Sequence, residues 1–374
     1  MAADSLEPTG EPRKSEPIAP LTTLELGGSA QWLTVAEIED DLMDALLWAS
    51  ERELPVTLLG GGSNVVVADE GIQGLVVRIA TRGVEVRRDG DDAVMTVAAG
   101  EEWDGIVAFA VEQRLAGLEC LSGIPGTAGA TPIQNVGAYG AEVGEVLESV
   151  RLLDRVTTEV RDAGAGELRL GYRSSRLRRE PGRFIVLSVR FRLAVDGTPR
   201  IHYPELARLL DCRSSDPSLA LVREAVLELR RSKSMVIDPD DPNHRSAGSF
   251  FKNPILAQAA ADELIRRIHR TGIAEDPPRF PTANGVKFPA GWLIEKAGFE
   301  KGLRRGNVGL SSRHSLALVN RGGGTAAELL GLAREIQTGV RQRFGVELEP
   351  EPVFLGFDTA NPLRDAAGRG TFNI

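Results

Sequence analysis

The spacing of apolar and polar residues predicts short strands and amphipathic helices along most of the chain. Residues 185–193 alternate between apolar and polar side chains, which is typical of a half-buried strand. Further strands are predicted at residues 55–59, 65–67, 75–79, 84–87, 94–98, 150–154, 159–162, 346–348 and 353–355. Helical spacing marks residues 38–49, 103–115, 219–231, 255–270, 291–297 and 325–344. Because helices and strands do not alternate regularly, the pattern favours an α+β fold over a doubly wound parallel sheet.

Two Thr-x-x-Glu patterns predict where helices begin. Thr34 with Glu37, and Thr325 with Glu328, have the spacing of a capping box, in which the two side chains accept hydrogen bonds from backbone N–H groups at the helix start. We therefore expect a helix after each pattern. Gly298 follows the predicted helix 291–297 and should end it, because glycine adopts the left-handed conformation common at that position.

Local composition divides the chain into five regions. Residues 1–20 are rich in Pro, Glu and Ser and are predicted to be a disordered tail. Residues 21–80 read as a small α+β unit, residues 81–215 as hairpins with a glycine-rich stretch, and residues 216–357 as a second α+β region. Residues 358–374 are predicted to be a loose tail.

Composition excludes several classes of protein. The net charge of −9 argues against general nucleic-acid binding, and the aromatic content of 5% argues against a base-stacking surface. Two cysteines, Cys120 and Cys212, cannot form a disulfide scaffold or a four-cysteine zinc site, and the four histidines lie far apart, so no metal site is predicted. With no membrane span and no secretory signal in the sequence, we predict a cytoplasmic protein.

Two glycine-rich loops are the first candidates for ligand binding. The first glycine loop, residues 60–64, reads Gly-Gly-Gly-Ser-Asn after a predicted strand, and the second, residues 122–140, contains SGIPGTAGA and QNVGAYG. Glycines allow backbone N–H groups to converge on an anion. Neither loop has the Walker or the Rossmann pattern. A pyrophosphate held from two sides is one interpretation; a plain turn and a flexible connector are the alternatives.

Three later segments combine charged or hydroxyl side chains with irregular spacing. They are GYRSSR at residues 171–176, AGSFFKNP at 247–254 and LEPEPV at 348–353. Each also has a plain structural interpretation: a solvated basic surface, a buried edge strand and a proline-stiffened edge strand. The residues alone leave these alternatives open.

Taken in order, the segments resemble the UDP-N-acetylenolpyruvoylglucosamine reductases, flavoenzymes of peptidoglycan precursor synthesis. The resemblance runs from about residue 21 to residue 356 and is carried by LTTLELGGSA, LGGGSNVVV, SGIPGTAGATPIQNVGAYG, GYRSSRL, AGSFFKNP, AGWLIEKAG, RHSLALVN and LEPEPVF. It implies an α+β fold with a two-lobed FAD-binding domain of the vanillyl-alcohol-oxidase type, the lobes being residues 21–80 and 81–215. A C-terminal α+β substrate-binding domain follows at residues 216–357.

The resemblance also implies ligands and site residues. FAD would be bound non-covalently between the two lobes, and NADPH would be the reductant, so the implied partners are small molecules. The implied catalytic residues are Arg173, Ser249 and Glu351. The implied substrate-binding residues are Tyr203, in a loop that covers the substrate in one type of the family, Lys233, Asn253 and His314. The implied FAD contacts are Gly60, Gly61, Gly62, Ser63, Asn64, Ser122, Gly123, Ile124, Pro125, Gly126, Gly129, Ala130, Gln134, Asn135, Gly137, Tyr139 and Gly140.

The chain departs from the family pattern beside the predicted catalytic carboxylate. Pro352 stands where the family more often has a branched aliphatic residue, and Glu349 lies two residues before Glu351, so Glu349 is an alternative carboxylate.

Two other functions stay open: an oxidase of the same superfamily with a covalently tethered flavin, and a nucleotide-sugar binder without turnover.

Overall fold

The computed structural model describes residues 11–364, which divide into two compact units. Unit 1 contains the described residues up to Glu16, Ala30–Gly62 and Gln73–Ile237. Unit 2 contains Pro17–Ser29, Ser63–Ile72 and the described chain from Asp238 onward. The chain therefore passes from one unit to the other several times.

Strands and helices are mixed throughout the described part of the chain. The strands are β1 (Arg13–Pro17), β2 (Ser29–Ala36), β3 (Val56–Leu59), β4 (Val65–Val67), β5 (Ile72–Ile79), β6 (Val84–Asp89), β7 (Asp92–Ala98), β8 (Leu115–Ala116), β9 (Gly137–Ala138), β10 (Ala141–Glu142), β11 (Leu147–Asp154), β12 (Glu159–Gly164), β13 (Phe184–Val195), β14 (Ile255–Leu256), β15 (Phe280–Thr282), β16 (Gly285–Lys287), β17 (Arg304–Arg305), β18 (Val308–Leu310), β19 (Leu318–Asn320) and β20 (Val353–Leu355). The α-helices are α1 (Glu39–Ser50), α2 (Trp103–Glu112), α3 (Ala165–Leu168), α4 (Arg176–Arg179), α5 (Pro204–Asp211), α6 (Leu219–Ser232), α7 (Gln258–Arg270), α8 (Ala290–Lys296) and α9 (Ala326–Phe344).

Unit 1 is built around an antiparallel sheet in the order β12-β11-β13-β7-β6, with β8 also paired to β13. A second sheet has the order β1-β2-β5-β3, in which β3 and β5 are parallel. Phe191 of β13 and Trp103 of α2 are both fully buried, with ring centroids 5.7 Å apart. The indole N–H of Trp103 donates to the carbonyl oxygen of Leu121 at 3.1 Å, which ties the start of the second glycine loop to the core.

Unit 2 is held together by a long-range strand pair and an aromatic core. Strand β4 pairs in parallel with β20, so residues 65–67 lie beside residues 353–355. Two small antiparallel sheets, β14-β16-β15 and β17-β18-β19, accompany helices α7 to α9. The Asp69 carboxylate accepts hydrogen bonds from the N–H groups of Ala326 and Ala327 at 2.7 and 2.9 Å, which fixes the start of α9 to residues 63–72.

Strongly periodic predictions are confirmed, together with one of the two capping boxes. The alternating segment 185–193 lies in β13. The Thr325 hydroxyl accepts from the Glu328 N–H at 3.1 Å, and the Glu328 carboxylate accepts from the Thr325 N–H at 3.0 Å. Gly298, with φ +100°, follows α8 and its C-cap residue Ala297.

Two local predictions are wrong. Thr34 does not cap a helix, because it lies in β2; helix α1 begins at Glu39, and the Asp41 carboxylate accepts from the N–H groups of Glu37 and Ile38 at 2.9 and 3.0 Å. Residues 346–348 form no strand, since the Leu348 carbonyl oxygen instead accepts from the Gln337 side chain at 2.8 Å.

The predicted boundaries also differ from the structure. The prediction of a disordered tail is wrong for residues 13–20, because β1 adds to the edge of the sheet beside β2 and Ile18 is fully buried. Residues 21–80 are shared between the two units, since β4 pairs with β20, and unit 1 continues to Ile237. Residues 358–364 contain no helix or strand, although Leu363 is buried. The rest of both predicted tails, residues 1–10 and 365–374, lies outside the described residues.

Candidate active site

The two glycine loops lie against each other in unit 1. A Cβ atom added to Gly60 would be 2.7 Å from the Thr127 hydroxyl oxygen, and one added to Gly61 would be 2.8 Å from the Cα of Gly126. Gly126 also has φ +118°, a conformation that other residues rarely adopt. Glycine is therefore required where the loops meet, as expected of loops that approach a ligand closely.

Several backbone N–H groups at this meeting point have no acceptor within residues 11–364. Those of Gly60, Gly61, Gly62 and Gly126 donate no hydrogen bond to any described residue. Backbone donors need an acceptor from the protein, from water or from a ligand. A cradle of N–H groups without side chains fits the pyrophosphate of FAD.

Other predicted cofactor residues of the second loop are engaged within the protein. The Gly123 N–H donates to Asp104 at 2.6 Å, the Gly129 N–H to the Ala99 carbonyl at 2.9 Å, and the Ala130 N–H to the Thr127 carbonyl at 3.0 Å. The buried Ser122 hydroxyl donates to the Glu119 carbonyl at 2.6 Å. These residues shape the loop, and Ile124, between them, packs against the core of unit 1.

The Asn135 side chain connects the second glycine loop to three other residues by hydrogen bonds. Its side chain is buried, with the amide donating to Glu142 at 2.7 Å and to the Gly171 carbonyl at 3.2 Å, and with the amide oxygen accepting from the Gly144 N–H at 2.9 Å. Three of its hydrogen-bonding positions are thus used within the protein. Its neighbour Gln134 accepts from Arg178 at 2.6 Å.

Arg173 lies at the tip of a tight turn that faces this loop. Gly171 and Ser174 close the turn with two backbone hydrogen bonds of 2.9 and 3.0 Å, and Arg173 itself has φ +50°. Its Nη2 donates to the carbonyl oxygen of Gly137 at 2.7 Å, and its guanidinium lies 5.4 Å from the centroid of the Tyr172 ring. The turn and the second glycine loop therefore hold the guanidinium in a defined position.

Tyr139, predicted as a cofactor contact, lies beside two of the predicted substrate-binding residues. Its ring is perpendicular to that of Tyr203, with centroids 5.3 Å apart, and the Lys233 ammonium lies 5.8 Å from its centroid. Burial, together with the charge of Glu205, raises the pKa of Tyr139 to about 12. Its neighbour Gly140 has φ +82° and approaches His202.

Arg230, on α6, is a functional candidate that sequence analysis did not single out. Its Nη2 donates to the Met235 carbonyl at 2.6 Å, while its buried Nε has no hydrogen-bond partner within the described chain. Burial lowers the pKa of Arg230. A Cβ added to Gly123 would lie 3.2 Å from this Nε, so the cation borders the second glycine loop. Only the tertiary packing of α6 reveals it, because the sequence shows an ordinary basic helix end.

Unit 2 brings the segment of Ser249 together with Glu351. The Glu351 N–H donates to the Phe250 carbonyl at 2.9 Å, and the Lys252 N–H donates to the Glu349 carbonyl at 2.9 Å. Residues 250–252 thus run beside residues 349–351. Glu351 is buried, whereas the Glu349 side chain is 57% exposed and its carboxylate is 3.5 Å from the Lys252 ammonium. The geometry therefore favours Glu351 over Glu349.

The remainder of the first glycine loop also lies in unit 2, next to Glu351. The Asn64 side chain donates to the Glu351 carbonyl at 3.5 Å, and the Asn64 carbonyl accepts from the Val353 N–H at 2.9 Å. Because β20 starts at Val353, Pro352 lies just before the strand and removes no hydrogen bond from it. The carbonyl of Ser63 accepts from the Thr23 hydroxyl at 3.4 Å.

Two predicted substrate-binding residues lie at turns of unit 2. The Asn253 side-chain oxygen accepts from the Ala290 N–H at 2.9 Å, at the start of α8. His314 lies in a turn where the Ser311 hydroxyl accepts from its N–H at 3.3 Å.

Within residues 11–364, no three His, Cys, Asp or Glu side chains are placed to hold a metal ion. None of the described helices is long and apolar enough to cross a membrane.

Residues 30–163 match the family described as FAD binding domain, and residues 240–355 match the C-terminal domain family of UDP-N-acetylenolpyruvoylglucosamine reductase. A reductase of that name from Saccharopolyspora erythraea is 50% identical over 94% of this chain and 97% of its own length. One from Nocardia farcinica is 49% identical over 92% of this chain and 90% of its own length.

A solved structure, that of the reductase from Thermus caldophilus, is also similar to this chain. It superposes with a TM-score of 0.62 at 27% identity, covering 92% of this chain and 99% of that chain. The predicted α+β fold, with an FAD-binding domain followed by a C-terminal substrate domain, is confirmed, and so is FAD as the cofactor. The chain belongs to the UDP-N-acetylenolpyruvoylglucosamine reductase family.

Proposed function

We infer that the chain is an FAD-dependent reductase that converts UDP-N-acetylglucosamine enolpyruvate to UDP-N-acetylmuramate in peptidoglycan precursor synthesis. The observation that carries this is the meeting of the two glycine loops, where N–H groups of Gly60, Gly61, Gly62 and Gly126 have no acceptor within the described chain. Family membership supports the same function.

The glycine loops would hold FAD through backbone N–H groups. Bound FAD supplies a hydride, which it receives from the reductant, and we propose NADPH for that role. Neither loop contains a histidine, and burial raises the pKa of the nearby Cys120 thiol to about 12, so the thiol stays protonated and unreactive at neutral pH. Both features support non-covalent binding of FAD.

Arg173 and Glu351 would stabilise the charge that develops on the substrate. Addition of a hydride to C3 of the enol ether breaks the carbon–carbon π bond and moves its electron pair toward the substrate carboxylate, as an enolate. A guanidinium held by the Gly137 carbonyl is already oriented before this charge appears, and such preorganisation is usually the largest catalytic contribution. The buried Glu351 is proposed as a polar partner in that step.

Ser249 would complete the reaction by donating a proton to C2. The enolate then collapses to the lactyl ether, and the hydroxyl regains a proton from a neighbour or from water. In total, the substrate, NADPH and one proton give the product and NADP⁺. Tyr203, Lys233, Asn253 and His314 are proposed to bind the nucleotide-sugar, with the Lys233 ammonium directed to its diphosphate.

We also propose that the protein acts in the cytoplasm, because both nucleotide substrates are made there. Cell fractionation followed by immunoblotting tests this, and recovery of the protein mainly outside the cytoplasmic fraction would contradict it.

The proposed activity is tested with purified protein. We expect flavin absorption at about 370 and 450 nm and NADPH oxidation that depends on the enolpyruvyl substrate. Acid precipitation should release the flavin from the protein. Release of the colour with no substrate-dependent oxidation of NADPH or NADH would instead favour a nucleotide-sugar binder. Colour that stays with the protein would favour a tethered-flavin oxidase.

A further inference from the structure

The segment of Tyr203 is docked on the second glycine loop. The Tyr203 ring packs edge-on against Tyr139, at 5.3 Å between centroids, and is still 37% exposed. A Cβ added to Gly140 would be only 3.1 Å from His202, so the backbone of the two segments is in close contact. Helix α5 begins immediately after Tyr203.

An ion pair fastens this docked segment. Glu205, in the first turn of α5, accepts a hydrogen bond from the Lys233 ammonium at 2.5 Å. The Lys233 side chain is 28% exposed and that of Glu205 is 41% exposed, so solvent only partly screens the pair. The ammonium proposed to bind the substrate diphosphate is therefore already paired with a carboxylate of the chain.

A phosphate oxygen and a carboxylate oxygen are alternative acceptors for the same ammonium group. We propose that Glu205 is an internal competitor of the diphosphate for Lys233. A nucleotide diphosphate then binds by displacing Glu205 from the Lys233 ammonium. The inference rests on the proposed role of Lys233 and adds the residue that sets its affinity for anions.

Titration of uridine diphosphate into the FAD-loaded protein tests the competition. Four proteins are compared by calorimetry at low salt: wild type, Glu205→Gln, Lys233→Met and the double variant. We expect Lys233→Met to weaken binding by about tenfold or more. Glu205→Gln should tighten binding about two- to fivefold, the range that a partly exposed ion pair supports. In the Lys233→Met background, Glu205→Gln should change nothing.

The pattern of results separates the two claims. If Lys233→Met leaves the affinity unchanged, the proposed role of Lys233 is wrong. If Lys233→Met weakens binding but Glu205→Gln weakens it as well, or has no effect, Lys233 is retained and the competition is overturned. In that case Glu205 orients the ammonium or plays no part in binding.

Glu228→Gln is the matched control. It removes the same charge from the 2.5 Å pair of Glu228 with Arg213 in unit 1, a pair that does not include Lys233. We expect unchanged affinity for uridine diphosphate. If Glu228→Gln raised the affinity for uridine diphosphate as much as Glu205→Gln does, the tighter binding would result from the change in net charge. That result would also overturn the competition. Thermal unfolding of each variant shows that the compared proteins are folded.

Discussion

Arg173 donates a hydrogen bond to the carbonyl oxygen of Gly137 at 2.7 Å, which joins the proposed catalytic guanidinium to the second glycine loop. A second link runs from the Asn135 amide to the Gly171 carbonyl at the base of the arginine turn, at 3.2 Å. The loop that borders the proposed flavin cradle therefore also positions the arginine. A change in this loop should then act on catalysis as well as on cofactor binding.

Asn135 should be a positioning residue rather than a direct contact of FAD. In Asn135→Asp the side chain keeps its acceptor for Gly144 but loses the donor to Glu142 and Gly171, and a carboxylate then faces Glu142. We expect product formation from the reduced enzyme to slow by about 10- to 100-fold, the cost of a displaced group that stabilises developing charge. FAD affinity should change by much less, which fluorescence titration of the apoprotein with FAD measures.

Exchanging the hydrogen-bond donor and acceptor between positions 135 and 142 tests whether Asn135 is a positioning residue. Adding Glu142→Gln to Asn135→Asp restores a donor–acceptor pair with the roles exchanged, because the new amide can donate to the new carboxylate. The double variant should recover part of the lost rate. Loss of FAD binding in proportion to the loss of rate would instead make Asn135 a cofactor contact.

Gly61→Ala should abolish FAD binding while leaving the protein folded. The added Cβ would lie 2.8 Å from the Cα of Gly126, and backbone atoms cannot move aside as a flexible side chain can. The fraction of flavin bound in the purified protein measures the effect. Gly105→Ala is the control, since its Cβ meets nothing within 4 Å and it lies inside helix α2, where alanine is favoured. A fully flavin-loaded Gly61→Ala protein would refute the assignment of the loop.

Ser249 should be needed to protonate the substrate and not to reduce the flavin. Ser249→Ala should keep near-normal flavin reduction by NADPH in stopped flow. Product formation from the reduced enzyme should fall by a factor on the order of 10²–10⁴, the usual contribution of a positioned acid. Ser249→Cys should recover part of this rate, because a thiol can still donate a proton. The opposite pattern, with slow flavin reduction and normal product formation, would place Ser249 in the nicotinamide step.

Asp104 should stabilise unit 1 above about pH 4 and lose this role in acid. Burial raises its pKa, but hydrogen bonds from Arg223 and from the Gly123 N–H more than offset this, so the folded-state pKa lies below the usual value. The contribution is therefore fully present above the unfolded pKa of about 3.9 and is lost as the pH falls through the folded value. Since the Asp104 side chain is 40% exposed, we expect Asp104→Asn to cost only about 1 kcal/mol near pH 7.

Chemical denaturation of both proteins from pH 7 down to pH 3 measures that difference. The stability gap between wild type and Asp104→Asn should narrow as the pH falls and close in acid. A gap that stays constant would show that the carboxylate charge of Asp104 is not what stabilises the fold.

What the sequence predicted well was carried by local signals. The alternation at residues 185–193 identified β13, and Thr325 with Glu328 identified the start of α9, because these patterns depend on neighbours within a few residues. The glycines of both loops could be singled out for a similar reason, since their spacing is visible without knowledge of the fold.

What the sequence could not predict depends on pairing between distant residues. The contact of Lys233 with Glu205 and that of Arg230 with the second glycine loop arise only when α6 packs in unit 1. Thr34 has a helix-capping pattern, but strand pairing in the sheet overrides it. The parallel pairing of β4 with β20 likewise spans most of the chain, so the split of the first 80 residues was not visible locally.

The proposed function requires that this chain passes a hydride from reduced FAD to the enolpyruvyl ether. The most direct measurement mixes the anaerobically reduced protein with UDP-N-acetylglucosamine enolpyruvate and follows the return of flavin absorbance at about 450 nm. We expect rapid reoxidation, with one UDP-N-acetylmuramate formed for each flavin. A flavin that stays reduced under these conditions, and is reoxidised only when oxygen is admitted, would contradict it.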